Sequence, residues 1–113
     1  TGNMFDGLPS GCEVHLYSNV LHDWGIAEVE KLLAVSHAAL PAGGLLIIHD
    51  AFINEAKTGP LHVAEYSCLL MHSTQGKCYS IGEYAALLDT AGFEPGPYAD
   101  TAAARGFMTA VKR

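Results

Sequence analysis

The residues best suited to chemistry stand side by side in one short run, His22-Asp23-Trp24. The imidazole of His22 is a candidate general base, because its ordinary pKa of roughly 6.5 lets it take up a proton near neutral pH. A neighbouring carboxylate, Asp23 or Asp50, can orient the ring and stabilise its charged form. Each residue also has a structural interpretation: His22 as a polar loop residue, Asp23 as a helix N-cap, and Trp24 as a core aromatic or a stacking surface.

A second dipeptide of the same type, His49-Asp50, follows an apolar run farther along the chain. If both dipeptides end parallel strands, two imidazoles and two carboxylates meet at one sheet edge, although both pairs can equally well just finish strands. Histidine and aspartate are also suitable ligands for zinc or a harder divalent ion, so a metal-dependent hydrolase is an alternative. The metal-dependent phosphohydrolases built on a His-Asp dipeptide are all-helical, however, and we predict no metal site here.

Met71, His72 and Cys78 are placed near a helix end and the loop after it. They are candidates to line an apolar substrate pocket, and ordinary packing is the alternative. A nucleophilic Cys78 would need a partner base, which nothing nearby in the sequence supplies. With Cys12 and Cys68 the cysteines are odd in number and lack C-x-x-C spacing, which argues against a disulfide framework and a zinc knuckle.

Length and charge exclude several classes of function. The 113 residues allow one domain at most, and the formal net charge of −6, without a lysine or arginine cluster, argues against nucleic acid and anionic membrane surfaces as partners. No apolar run approaches the roughly 20 residues that span a bilayer. Thr1-Gly2-Asn3 opens without a targeting signal, so a cytoplasmic location is expected.

The residues around the His22 run predict the scaffold that positions it. Residues 14–18 read as a short strand that leads into the run. Residues 45–48 are a continuous apolar stretch, typical of a strand covered on both faces and parallel to the first. A helix that ends at residues 41–44 joins the two strands in a right-handed crossover. Its apolar residues fall at helical spacing: Ile26, Val29, Leu33 and Leu40.

The second half of the chain predicts two helices. Residues 61–73 form the first, after a connecting loop over residues 51–60. Ser80 and Glu83 have the spacing of a capping box, which starts the second helix, and that helix runs through Ala91 to Gly92. The residues that fall close to one face of the first helix are Leu61, Ala64, Cys68 and Met71 or His72.

The last residues predict an antiparallel hairpin at the edge of the sheet. Residues 93–98 can form only an irregular or edge strand, because Pro95 and Pro97 cannot donate to a neighbouring strand. Residues 107–111 are a better strand, and the linker over residues 99–106 is long enough for a loose turn. The expected sheet therefore has two parallel strands and an antiparallel finish.

Several motifs, in order along the chain, resemble one known family. They are Asn3-Met4-Phe5, Leu8-Pro9, Val20-Leu21-His22-Asp23-Trp24, Leu40-Pro41-Ala42-Gly43-Gly44 before an apolar strand ending in Asp50, and Ala91-Gly92-Phe93. Together they resemble the carboxyl-terminal half of S-adenosylmethionine-dependent O-methyltransferases, of the plant caffeate-type and bacterial small-molecule class that methylates phenols and polyketides. The resemblance implies an α/β, Rossmann-like methyltransferase fold, of which this chain would hold strands four to seven with the last one antiparallel.

The resemblance also implies roles for individual residues. His22 would be the catalytic base, Asp23 would help to hold the substrate, and Asp50 would brace the base. The cofactor side would be formed near the adenine and the methionine portion of S-adenosylmethionine by Asn3, Met4, Phe5, Ser18 and Trp24.

Three positions depart from the family pattern. Asn3 replaces the usual aspartate and Ser18 a common lysine, so the details of cofactor contact are expected to differ. Cys78 stands where many plant members carry a second acidic brace, so activation of the base is expected to differ as well.

Other parts of the family's catalytic domain are expected upstream of Thr1: the glycine-rich turn that holds the cofactor, the acidic residue that grips its ribose, and a helical dimerisation domain. Residues 1–113 are therefore expected to be a partial catalytic domain. The resemblance implies S-adenosylmethionine as cofactor, a small-molecule acceptor and a homodimer. The alternative is a non-catalytic half-domain that self-associates through the open edge of its first strand.

Overall fold

A parallel strand pair forms one side of the sheet. In the computed structural model, which describes residues 3–102 and 105–113, strands β1 (Val14–Ser18) and β2 (Leu45–Asp50) pair in parallel. Helix α1 (Ile26–Ala39) joins them, which confirms the predicted strand-helix-strand unit. Side chains alternate along β2: Leu46, Ile48 and Asp50 are buried, while the residues between them are only half-buried. One face of β2 is therefore fully covered and the other only in part.

An antiparallel hairpin completes the sheet. Strands β3 (Phe93–Asp100) and β4 (Gly106–Lys112) pair with each other, and β4 also pairs with β2, giving the order β1-β2-β4-β3. The proline-containing β3 is the edge strand, as predicted, and its pairing is irregular between Pro95 and Tyr98. Strand β3 ends at Asp100, two residues beyond the predicted end at residue 98. Ala103 and Ala104 of the predicted linker lie outside the described residues.

Two further helices follow β2, in the predicted places. Helix α2 (Leu61–Ser73) has the predicted bounds, and α3 (Ile81–Thr90) ends one residue earlier than expected. The capping box is present: the Glu83 amide donates to Ser80 Oγ at 3.1 Å, and the Ser80 amide donates to Glu83 Oε1 at 3.0 Å. Gly92 follows α3 with φ of +92°, a conformation that glycine adopts without steric cost.

The face of α2 that carries Leu61, Cys68 and Met71 is not the packed side of the helix. Leu61 and Met71 are 71% and 63% exposed, and the buried residues are Val63, Ser67 and Leu70. Apolar side chains occur on several sides of this helix, so their spacing alone cannot select the packed side. That side is set by contact with a small cluster that includes buried residues of the loop before α2 and of the loop after it: Ala51, Ile53, Val63, Leu70 and Cys78.

The main core lies where α1 and α3 pack against the covered face of the sheet. It contains Tyr17 of β1, Leu33 of α1, Ile48 of β2 and Leu88 of α3, and Met108 of β4 completes it from the hairpin. The carboxyl ends of β1 and β2 open beside this core, and the His22 run begins there. No helix in the described part of the chain is long and apolar enough to cross a membrane.

Candidate active site

His22 is held in a short 3₁₀ turn that directly follows β1. The turn comprises Leu21–Asp23, and Leu21 is fully buried as its anchor in the core. Asn19 just before it has φ of +55°, a backbone conformation that asparagine tolerates better than most residues. His22 itself is only 4% exposed. The turn separates Asp23 from α1, whose N-cap is Gly25, so the interpretation of Asp23 as a helix cap is wrong.

Asp50 fixes the orientation of the His22 ring. Its Oδ1 lies 2.5 Å from His22 Nδ1 and also accepts a hydrogen bond from the Ala51 amide at 2.8 Å. Both side chains are buried, and a buried charge or polar group needs such a partner. An ionised carboxylate only accepts hydrogen bonds, so Nδ1 must carry the hydrogen. In the neutral ring this leaves the Nε2 lone pair able to accept a proton.

Two side chains border Nε2. The hydroxyl oxygen of Tyr66 lies 3.4 Å from it, and Asp23 Oδ1 lies 3.3 Å from it. The Tyr66 ring meets the imidazole nearly edge-on, with centroids 5.5 Å apart and an interplanar angle of 76°. Asp23 is 45% exposed, in contrast to the buried Asp50 on the other side of the ring. Nε2 therefore lies on the side of the ring that is bordered by the half-exposed Asp23.

Arg105 connects the hairpin to this site. Its guanidinium carbon lies 5.1 Å from the Tyr66 ring centroid, a cation–π distance, and its Nε donates to Asn19 Oδ1 at 2.8 Å. Burial raises the pKa of the Tyr66 hydroxyl, while the Arg105 charge acts in the opposite direction. Tyr66 therefore keeps its hydrogen at neutral pH and can donate it to Nε2.

Sequence reasoning missed Tyr66, because the stripe that contains it is only one of several apolar stripes on α2. Val63, Tyr66, Ser67 and Leu70 follow the spacing i, i+3, i+4, i+7, which is one stripe of a helix, and this stripe is the packed side of α2. The face marked by Leu61, Ala64 and Cys68 does not include Tyr66. Arg105 is brought to the site by the return of the predicted hairpin, but the local sequence carries no signal for its contact with Tyr66.

Gly76 packs against the backbone of the His22 turn. A Cβ atom built on Gly76 would collide with the carbonyl oxygen of His22 and would lie 2.6 Å from the Trp24 amide nitrogen. The loop between α2 and α3 thus packs directly against the backbone of the turn, at a distance that only glycine permits. Sequence reasoning did not single out Gly76 as part of this site.

The second imidazole does not join the first, contrary to expectation. His49 neighbours Asp50 on β2, and successive strand residues point to opposite faces. Its ring nitrogens contact Ser18 Oγ at 2.9 Å and Thr101 Oγ1 at 3.3 Å instead. Within the described residues, no three or more histidine, cysteine, aspartate or glutamate side chains are grouped so that they could hold a metal ion.

The residues expected on the cofactor side fall into two places. Phe5 and Trp24 pack edge to face with ring centroids 5.0 Å apart, and Met4 packs beside the same core. Asn3 Oδ1 accepts a hydrogen bond from the Phe5 amide at 3.0 Å, which fixes this segment locally. Ser18 lies apart from them at the end of β1, bonded to His49 on the other face of the sheet.

The residues expected in a substrate pocket are not brought together. Met71 and His72 are exposed at the end of α2, whereas Cys78 is buried and its amide donates to Ser67 Oγ at 3.0 Å. Burial, reinforced by the Asp50 charge, raises the pKa of the Cys78 thiol to about 11. Cys78 is therefore a packed thiol at neutral pH, unsuited to act as a nucleophile.

Comparison with known proteins places this geometry in a family. Residues 1–94 match the family model described as an O-methyltransferase domain. A 3-hydroxy-5-methyl-1-naphthoate 3-O-methyltransferase from Streptomyces sahachiroi is 38% identical over 87 residues, which cover 77% of this chain and 25% of that protein.

Solved structures agree with the fold. An O-methyltransferase family 2 protein from Planctomyces limnophilus, in complex with apigenin, has a TM-score of 0.93 and 36% identity, covering 99% of this chain and 34% of that chain. Human N-acetylserotonin methyltransferase, in complex with S-adenosylmethionine, has a TM-score of 0.92 and 28% identity, and the match covers 98% of this chain and 32% of that chain. The chain spans about a quarter to a third of the length of these relatives.

These similarities confirm the predicted α/β, Rossmann-like methyltransferase fold with its antiparallel finish. The family match covers most of the chain, including β1, the His22 turn and Asp50. The chain therefore belongs to the O-methyltransferase family.

Proposed function

We propose that this chain carries the catalytic base of an enzyme that transfers a methyl group from S-adenosylmethionine to a hydroxyl of a small aromatic or polyketide-like acceptor. The observation that carries the proposal is the buried contact between His22 and Asp50, which leaves Nε2 as the proton-accepting atom. The choice of acceptor class is supported by relatives, since one is named for a hydroxynaphthoate and another was solved with apigenin.

His22 has one chemical task in this proposal. Nε2 removes the hydrogen of the acceptor hydroxyl as the oxygen attacks, and a phenol with a pKa of about 10 is acidic enough for an imidazole to assist. The Nδ1–H group keeps its hydrogen bond to Asp50 throughout, so the ring becomes an imidazolium without turning. Asp50 on one side and Asp23 on the other then face a positive ring, and both attractions grow as the proton moves.

The residues near Trp24 suit part of the proposed cofactor. Phe5, Trp24 and Met4 form a half-buried border of aromatic and apolar side chains, which suits the flat adenine ring of S-adenosylmethionine better than a charged group. When bound, this cofactor supplies an electrophilic methyl group on a sulfonium sulfur. The chain's own contribution would be to hold the acceptor hydroxyl close to that methyl group, with its hydrogen directed at His22 Nε2.

The test of this function uses the intact protein, S-adenosylmethionine and hydroxylated aromatics such as apigenin. We expect methyl transfer to a hydroxyl, and we expect His22→Ala to lower turnover by about 10²- to 10⁴-fold, the range for loss of a general base. The affinity for S-adenosylmethionine, measured by calorimetry, should stay within about twofold of wild type, since His22 does not lie among the proposed cofactor contacts. Equal losses of turnover and cofactor affinity would reject His22 as the base.

A second candidate is self-association, favoured by one observation. Strand β1 lies at an edge of the sheet, and Val14 and Leu16 on it are 50% and 61% exposed. An uncovered strand edge with apolar side chains favours pairing with another chain. Light scattering on the 113-residue chain separates the two candidates: a stable oligomer without cofactor binding supports self-association, and a monomer that binds S-adenosylmethionine contradicts it.

A further inference from the structure

The base nitrogen of His22 already has a phenol beside it, and that phenol belongs to the chain itself. The Tyr66 hydroxyl lies 3.4 Å from Nε2, and Nε2 is the atom that receives the acceptor's hydrogen in the proposed function. With Nδ1 committed to Asp50, the hydroxyl donates and Nε2 accepts. This is the same pairing of donor and acceptor that a phenolic substrate would make with the base.

We propose that Tyr66 is a specificity-determining residue whose hydroxyl holds the place of the acceptor hydroxyl and is displaced by it. The inference rests on the proposed function, because it assigns the acceptor to Nε2. After displacement the Tyr66 ring forms one wall of the acceptor site. The site therefore favours an acceptor whose hydroxyl sits on a flat aromatic ring.

The length of the contact makes displacement easy. Hydrogen bonds between nitrogen and oxygen are typically 2.7–3.2 Å long, so a 3.4 Å contact is a weak bond. A resident partner of this kind keeps the lone pair of Nε2 oriented and satisfied without competing strongly with the acceptor. A shorter bond would cost the acceptor more affinity.

The ring of Tyr66, in contrast to its hydroxyl, is restrained. Val63 and Leu70 on the same stripe of α2 are buried in the small apolar cluster and fix the helix. Arg105 lies against the ring and is itself bonded to Asn19 at the end of β1. The ring is thus held between the imidazole and a guanidinium, which suits a wall that stays in place while the hydroxyl changes its partner.

Carbethoxylation with diethyl pyrocarbonate tests, without any acceptor, whether the Tyr66 hydroxyl occupies Nε2. The reagent is attacked by the lone pair of a neutral imidazole, so its rate at His22, mapped by mass spectrometry, reports how free Nε2 is. Tyr66→Phe should raise that rate about threefold, as expected for loss of one weak hydrogen bond. His49, on the opposite face of the sheet, serves as an internal control. An unchanged rate at His22 would overturn the proposal.

Steady-state kinetics of the intact protein with 3-hydroxy-5-methyl-1-naphthoate or apigenin tests whether the acceptor displaces the Tyr66 hydroxyl and packs against the Tyr66 ring. Tyr66→Phe should lower KM for the acceptor about threefold with kcat within about twofold of wild type, because a competitor is removed and the wall is kept. Tyr66→Ala should raise KM about tenfold, because the wall is lost. Tyr98→Phe is the matched control, since the Tyr98 hydroxyl donates to Asp100 on the hairpin.

A fall in kcat at unchanged KM in Tyr66→Phe would overturn the proposal, because the hydroxyl would then take part in the chemistry. An unchanged KM and kcat would overturn it too. Failure of the proposed function has a different signature: His22→Ala would then keep its turnover, whatever the result for Tyr66. The two ideas can therefore fail separately.

Discussion

Asp50 and His22 form a fully buried pair in which Asp50 Oδ1 lies 2.5 Å from His22 Nδ1. The second carboxylate oxygen, Oδ2, is buried without a hydrogen-bond partner in the part of the chain that the structure describes. A buried carboxylate with an unsatisfied oxygen is unfavourable for stability, so stability alone does not explain a carboxylate at this position. Its hydrogen-bond partner here is the imidazole of His22.

Asp50→Asn should therefore separate catalysis from stability. The amide has the shape of the carboxylate but no charge, and its NH₂ group can donate to Nδ1 and so favour the wrong tautomer. Turnover should fall by about 10²- to 10⁴-fold, while the free energy of unfolding in urea should change little or rise. Asp23→Asn, on the exposed side of the ring, should cost less turnover. A larger loss in Asp23→Asn than in Asp50→Asn would contradict this assignment of roles.

Gly76→Ala should damage the same site through the backbone. The new methyl group would meet the carbonyl oxygen of His22, which belongs to a rigid turn and cannot move without shifting the imidazole. We expect a loss of about 1–3 kcal/mol in the free energy of unfolding, together with reduced turnover. Gly59→Ala is the control, because its nearest neighbour would be the Leu61 amide nitrogen at 3.6 Å, an ordinary contact. Equal stability of the two variants would contradict the close approach.

The meeting of His22 and Asp50 could be predicted because His22 follows β1, Asp50 ends β2, and parallel neighbours end at the same sheet edge. The register bears this out, since Ser18 of β1 stands opposite His49 of β2. Because side chains alternate along β2, only one residue of the His49-Asp50 pair can reach His22, so of the two possibilities left open the convergence of both imidazoles is wrong.

The other contacts of the site depend on packing between distant segments. Helix α2 has apolar residues on several sides, so only the tertiary contacts of Val63 and Leu70 decide that Tyr66 turns toward His22. Arg105 reaches Tyr66 because the hairpin returns beside β2, and Gly76 is required only because two loops cross at that point. Residue type and spacing carry little information about such contacts.

The three cysteines should differ in reactivity. Burial raises the pKa of the Cys78 thiol to about 11, so at about pH 8 only about one molecule in a thousand carries the reactive thiolate. Cys12 and Cys68 are exposed. Iodoacetamide should therefore label those two in the folded protein and Cys78 only after unfolding in guanidinium, with the sites mapped by mass spectrometry. Labelling of Cys78 as fast as Cys68 in the folded protein would show that the thiol is accessible and ionised.

Glu83 should make the free energy of unfolding decrease as the pH falls into the acid range. Burial acts to raise its pKa, but hydrogen bonds from Lys57, the Ser80 amide and Lys77 outweigh burial and lower it to about 2 from an ordinary 4.5. The folded state thus favours the charged carboxylate. Its contribution is complete above the ordinary value and is lost as the pH falls toward 2.

Glu83→Gln tests this contribution, because glutamine keeps the capping box while it removes the charge. The free energy of unfolding in urea, measured at about pH 6 and about pH 3, should fall less on acidification in Glu83→Gln than in wild type. Glu94→Gln on the edge strand β3 is the control for the loss of one carboxylate, since Glu94 is exposed. It should follow wild type. If Glu83→Gln and Glu94→Gln show the same acid dependence, the two lysines do not hold the Glu83 carboxylate in its charged form.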